Sequence, residues 1–219
     1  MLHGMGHPES SMMAGLPVNY VIQQMQDYKS GARISLYRRH NSMLLSATHA
    51  TDEEVRAAAE YYAQLEPVKW VTVIEANMVP ETYVGPGNMR HAEPNGGMEP
   101  IGQRIIEIPE NSHRAERRDP HSPFIAYVPP GSLDAGRELA TTGQGRTIQC
   151  DICHGTDLKG LGDIPGIAGM SPIYMARSLW DIKHGARTGV STALMLAVVA
   201  NLTDEDVINL SAYIASLDP

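Results

Sequence analysis

The chain contains one sequence pattern written twice. The segment AGMSPIYMARSLWDIKHGAR at 168–187 aligns without a gap with AGLPVNYVIQQMQDYKSGAR at 14–33, at an offset of 154 positions. The likeness resumes at an offset of 152, where MLAVVANLTDEDV (195–207) faces MLLSATHATDEEV (43–55). Self-similarity over a fixed offset indicates one structural unit used twice. We therefore expect two similar modules.

Each copy of the pattern predicts helices. Apolar residues recur at helical spacing behind Thr203 in the second copy and behind Thr51 in the first, and acidic residues follow both threonines. A threonine N-cap followed by acidic residues is favourable at the positive end of a helix dipole. In both copies we expect the preceding helix to begin near a proline and to end at a glycine, at Pro17 and Gly31 in the first and at Pro172 and Gly185 in the second.

The repeat divides the chain into three parts. Residues 1–66 form the first module and residues 131–219 the second, in which a further helix is expected to start at Ser132. Residues 67–130 hold most of the prolines and the β-prone runs KWVTVIE, QRIIEIP and FIAYVP, which indicate a long connector with short strands. The predicted fold class is all-α, with two helical modules joined by this connector.

Composition excludes several classes of protein. The formal net charge of -8, with no basic cluster beyond RAERR at 114–118, argues against a nucleic-acid partner. The longest apolar run, ALMLAVVANL, is far short of the ~20 residues of a membrane-spanning helix, so we expect no membrane span. Two cysteines cannot form the multi-bridge framework of a small secreted domain. The cysteine pair must therefore serve local chemistry.

Both cysteines lie in QCDICHGTDLKG, where Cys150, Cys153 and His154 form a Cys-x-x-Cys-His motif. This spacing is typical of covalent haem attachment, with two thiols for the vinyl groups and an imidazole for the iron. The alternatives are a redox disulfide, a half zinc site and a chance pattern. A redox pair belongs to a βαβ context that is absent here, and a zinc site would need two more ligands, for example by recruiting His184. The motif favours haem.

A six-coordinate haem needs a second axial ligand, usually a Met or a His. The second copy offers Met170, Met175 and Met195, and a methionine at helical spacing is more often core filler than ligand. Met195 is the preferred candidate because it falls in a predicted loop before the last helix, where the chain can cross the far face of the haem. In the glycine-rich block LGDIPGIAGM, the Pro165 carbonyl is the expected acceptor for the second ring nitrogen of His154.

Residues 131–219, with the motif quoted above and the segment ALMLAVVANLTDEDV, resemble the bacterial class I c-type cytochromes, especially their two-domain, two-haem periplasmic members. The resemblance extends over 4–66, which matches a whole domain except its opening segment. The connector EPIGQRIIEIPE is similar to that of the subgroup. The resemblance implies two cytochrome c modules and haem c, with thioether bonds at Cys150 and Cys153 and iron ligated by His154 and Met195. Met43 is the equivalent of Met195 in the first module.

A Met and a His together fill both axial positions of the iron and leave no site for a substrate, so we expect a carrier of single electrons rather than an enzyme. The resemblance implies a periplasmic cytochrome that accepts electrons from a dehydrogenase or quinol-oxidising complex and passes them to a terminal oxidase or reductase. The alternatives are a peroxidase-like haem enzyme and a cytochrome subunit of an oxidoreductase complex.

The first module departs from the family because it has no Cys-x-x-Cys-His motif. The position equivalent to His154 falls immediately ahead of Met1, and no export signal is visible. We expect the native protein to carry an export signal and a first haem motif upstream, with Met43 ligating a second iron. The alternative is a first module that lost its haem and serves as a packing partner.

Overall fold

The computed structural model describes residues 3–5, 8, 10–34 and 41–219. The predicted fold class is confirmed, since helices dominate both ends of the chain and short strands lie between them. The helices are α1 Val18–Ser30, α2 Asn41–His49, α3 Asp52–Ala63, α4 Ser112–Glu116, α5 Ser132–Thr142, α6 Asp151–His154, α7 Pro172–Lys183, α8 Ala193–Val199 and α9 Asp204–Ser216. In the described ranges, no helix combines the length and the apolar composition needed to cross a membrane. The module boundaries at 66 and 130 stay predictions.

The predicted helix starts are explained by their caps. Thr51 and Thr203 each form a reciprocal capping box, with Glu54 and Asp206 respectively. Each box satisfies two backbone N–H groups that the first turn of a helix leaves without partners. Helix α7 starts at Pro172 as expected. It ends at Lys183, two residues before the predicted stop at Gly185.

The connector forms small β-sheets. Its strands are β1 Val71–Glu75, β2 Met78–Pro80, β3 Thr82–Val84, β4 Arg90–Ala92, β5 Met98–Pro100, β6 Ile106–Pro109 and β7 Phe124–Val128. The three β-prone runs become β1, β6 and β7 of one sheet in the order β1-β7-β6, where β1 pairs with β7 in parallel and β7 with β6 antiparallel. The other strands form the antiparallel pairs β2-β5 and β3-β4.

The core of the second module lies between α5, α7 and α9. Leu139, Leu179 and Leu210 belong to one buried apolar cluster there. Helices α5 and α9 approach so closely that a Cβ added at Gly136 would lie 2.0 Å from the carbonyl oxygen of Asn209. Glycine is therefore required at this crossing.

The segment that carries Met195 differs from its prediction as a loop. Met195 lies in the short helix α8, and the equivalent Met43 lies in α2. Alanine, leucine and methionine are among the strongest helix formers, which accounts for a helix over the run ALMLAVV.

The two modules meet through their Gly-Ala-Arg segments. Arg33 and Arg187 form an isolated antiparallel bridge. Beside it, the Ile34 N–H donates to the Ala186 carbonyl at 2.8 Å, and the Thr188 N–H donates to the carbonyl of Ala32 at 2.7 Å. The two copies of one motif thus pair with each other, which places the first module against the second.

Candidate haem-binding site

A cavity of about 380 Å³ opens in the second module. This volume is within the usual range for small-molecule and cofactor sites. Most of the lining is apolar, and it includes the five residues of the second module that were predicted from the sequence to hold the cofactor, namely Cys150, Cys153, His154, Pro165 and Met195. The structure thus brings together side chains that are up to 45 positions apart in the chain.

The cysteine motif is held by a single helical turn. The Cys150 N–H donates to the Ala140 carbonyl at 2.9 Å, which ties the turn to the end of α5. The backbone N–H of His154 in turn donates to the Cys150 carbonyl at 2.9 Å, so that the imidazole lies one helical turn after the first thiol. Both cysteines are free thiols and partly buried. The turn presents two thiols and one imidazole to the same cavity.

Burial, with smaller contributions from Asp151 and Cys153, raises the pKa of the Cys150 thiol to about 11. Redox-active Cys-x-x-Cys pairs depend instead on a thiol with a lowered pKa. The described part of the chain contains no group of three or more His, Cys, Asp or Glu side chains placed to hold a metal ion. The raised pKa of Cys150 therefore weakens the redox alternative.

The ring of His154 is oriented by the loop that follows it. Its Nδ1 donates to the Pro165 carbonyl at 2.8 Å, so the predicted hydrogen bond is confirmed. Burial lowers the pKa of His154, against the smaller opposing effect of this bond, and favours the neutral ring. With the proton on Nδ1, Nε2 keeps its lone pair, and it has no hydrogen-bond partner among the described residues. A neutral imidazole with a free Nε2 is a ready metal ligand.

The loop can approach His154 closely because it is rich in glycine. A Cβ at Gly160 would lie 2.9 Å from the Gly166 nitrogen, and one at Gly166 would lie 2.7 Å from the Lys159 carbonyl oxygen. Side chains at these two glycines would push the two segments of the loop apart and move Pro165 away from the His154 ring.

All three candidate methionines of the second module line the cavity. Met170 and Met175 are nearly fully buried in the apolar cluster that also contains Tyr174, as expected of core filler. Met195 is only partly buried and packs on the other cluster, with Leu139 and Leu179. This position favours Met195, although its role as ligand stays a prediction.

Met43 has a different position. It is 40% exposed on α2. It does not contribute to the described lining of the cavity.

Comparisons with known proteins identify the family of this chain. A model of the cytochrome c family matches residues 133–218. Cytochrome c-554(548) of Halomonas halodenitrificans is 37% identical over 78 residues, which cover 35% of this chain and 94% of that protein. The chain belongs to the cytochrome c family. The prediction of a class I c-type cytochrome is thereby confirmed, and such a domain implies covalent haem c and electron transfer.

Two further likenesses extend over this whole cytochrome. The crystal structure of cytochrome c4 from Pseudomonas stutzeri matches with a TM-score of 0.62 at 18% identity. The match covers 98% of this chain and 88% of the cytochrome c4 chain. It shows the fold of both modules and the connector. A thiosulfate dehydrogenase electron acceptor from Thiomonas intermedia is 24% identical over 219 residues, covering 97% of this chain and 74% of that protein.

One functional candidate was missed by sequence reasoning. Arg187 lines the cavity, is 8% exposed, and carries an Nε with no hydrogen-bond partner in the part of this cytochrome that the structure describes. The repeated Gly-Ala-Arg triplet was the available signal. An apolar cavity with two thiols, an oriented imidazole, a thioether and a buried cation fits a haem, which is apolar over most of its surface and bears two carboxylates.

Proposed function

We propose that the second module holds one covalent haem c and works as a carrier of single electrons. Cys150 and Cys153 form the thioether bonds, and His154 and Met195 ligate the iron. The observation that carries the proposal is the cavity lined by all four side chains, with the His154 ring already oriented by the Pro165 carbonyl. When bound, the haem supplies a one-electron couple.

The side chains of this chain have separate tasks in that function. Pro165 fixes the ring of His154 and increases its basicity through the hydrogen bond to Nδ1. Met195 would supply the second ligand of the iron, and a Met ligand raises the reduction potential. The apolar lining would keep water from the iron. With His154 and Met195 both bound, the iron would have no position for a substrate, which favours a carrier over a peroxidase-like enzyme.

Carbon monoxide separates these two functions. Reduced protein with His154 and Met195 on the iron is expected to bind the gas slowly and to keep a low-spin spectrum. Rapid binding to the wild-type protein would instead support an open site and the enzyme alternative.

A periplasmic dehydrogenase is the proposed electron donor, and a terminal oxidase or reductase is the proposed acceptor. The likeness to a thiosulfate dehydrogenase electron acceptor, which covers 97% of this chain, supports a dehydrogenase over a quinol-oxidising complex. Stopped-flow mixing of the ferric protein with a thiosulfate dehydrogenase and its substrate tests the proposal. We expect reduction to be much faster than with a quinol-oxidising complex, and the reverse order would contradict it.

A second haem in the first module, with Met43 as its ligand, is also proposed. Met43 and its neighbours Leu44 and Leu45 are exposed on α2, so that this helix has apolar surface which a cofactor would cover. Iron counted per chain on the protein isolated from its source decides between the alternatives. Two irons support the second haem, and one iron supports a module that serves only in packing.

A further inference from the structure

The junction of the two modules contains a crossed pair of tyrosine and arginine contacts. Arg33 of the first module donates from Nη2 to the Tyr174 hydroxyl of the second at 3.3 Å. Arg187 of the second module lies beside the Tyr20 hydroxyl of the first. Tyr20 and Tyr174 are equivalent in the repeat, as are Arg33 and Arg187. Each module therefore supplies an arginine to the tyrosine of the other.

One glutamine joins the two arginines. The Oε1 atom of Gln24 accepts from Arg33 at 2.7 Å and from Arg187 at 2.9 Å. The repeat equivalent of Gln24 is Ser178, so only the first module provides this link. Gln24 is buried and lines the haem cavity together with Tyr20. The first module thus forms part of the wall of the cavity in the second.

Among the described residues, no carboxylate contacts either arginine directly. Within the described ranges, the Nε of Arg187 is buried without a partner. The carboxylate of Asp27 accepts instead from the side-chain amides of Gln23 at 2.9 Å and Gln24 at 3.5 Å. A buried cation that no carboxylate contacts is costly, which indicates that an anionic group binds here.

Tyr174 shows the same electrostatic preference, whereas burial raises the pKa of Tyr20. Burial alone would raise the pKa of Tyr174, but Arg33 and Arg187 together lower it to about 7. A negative charge is therefore stabilised at this end of the cavity. A haem carboxylate, which is ionised at neutral pH, would be stabilised in the same way.

We propose that Arg33 of the first module is a positioning residue for the haem of the second: through Gln24 and Tyr174 it holds Arg187 toward an anionic group at this end of the cavity, and it raises the reduction potential. The inference rests on the proposed function, because it requires a haem in that cavity. The sign follows from electrostatics, since a nearby positive charge favours the reduced iron, which carries one positive charge less.

The test is a redox titration of the haem-loaded chain with Arg33→Gln. We expect the equilibrium constant for reduction to fall by about tenfold, equivalent to about 59 mV for one electron. Arg56→Gln is the matched control, because it removes the same charge from an exposed position on α3 of the same module. If Arg33→Gln does not accumulate, Arg33→Met carries the same prediction, since it fills a similar volume and brings no polar group of its own into the junction.

The outcomes distinguish a failure of this inference from a failure of the proposed function on which it rests. A tenfold fall with an unchanged low-spin spectrum supports a positioning role, because a purely structural contact would change stability and leave the potential unaltered. An equilibrium constant for reduction within twofold of that of the Arg56→Gln control overturns the inference and leaves the proposed function intact. Haem that is not covalently retained by the wild-type chain contradicts both.

Discussion

Gly136 allows the closest helix crossing of the second module, and we predict that Gly136→Ala destabilises the protein. The added Cβ would meet Asn209 O at 2.0 Å, Asn209 C at 2.6 Å and Tyr213 Cβ at 2.8 Å. Two of these atoms belong to the backbone of α9, which cannot rotate away. The first contact is about 1.4 Å short of ordinary van der Waals distance, so α5 and α9 must separate.

The magnitude follows from two opposing effects. Overpacking of a core costs about 1–3 kcal/mol, and a clash against backbone belongs at the upper end of that range. Replacing glycine by alanine inside a helix returns about 1 kcal/mol. The expected net loss in the free energy of unfolding is about 2 kcal/mol, which at a urea m-value of about 2 kcal/mol/M lowers the midpoint by about 1 M.

Urea denaturation of the haem-loaded protein, followed by far-UV circular dichroism, measures this loss. Arg137→Ala on the exposed side of α5 is the control, because its salt bridge to Asp134 is at the surface and worth at most about 1 kcal/mol. A Gly136→Ala midpoint equal to that of the wild type would refute the close approach of the two helices.

The remaining predictions concern the haem ligands and one helix cap. Met195→Ala should open the reduced iron to carbon monoxide and lower the reduction potential, as difference spectra and a redox titration would detect; the same effect from Met170→Ala instead would show that the ligand was wrongly chosen. Cys150→Ser should leave at most one thioether bond, which mass spectrometry after proteolysis would detect, and two bonds would contradict the attachment site. Thr203→Ala should cost about 1 kcal/mol of unfolding free energy through loss of the capping box with Asp206, and an unchanged urea midpoint would argue against that box.

The features that sequence patterns predicted correctly depend on neighbours in the chain. Thr51 and Thr203 could be recognised as caps because a capping box needs only four consecutive residues. The β-prone runs were recognised for the same reason. The His154 to Pro165 hydrogen bond spans 11 positions within one glycine-rich loop, so it was also within reach of sequence reasoning.

The features that were missed depend on how distant segments pack. The parallel pairing of β1 with β7 joins Val71 to Phe124, and nothing in either run specifies that partner. The helix over Met195 is the exception, because the helix propensity of its neighbours in the chain already favours it. The cavity-facing role of Arg187 depends on contacts with the other module, which the sequence alone does not reveal.

The most direct test of the central claim is extraction of the purified protein with acid and organic solvent, followed by the mass of the polypeptide. Haem bound through Cys150 and Cys153 must remain on the chain and increase the mass of the second module by one haem. Double substitution of both cysteines by serine is the control and should release all of the haem that this motif holds. Haem that leaves the wild-type chain and passes into the organic phase would contradict the account.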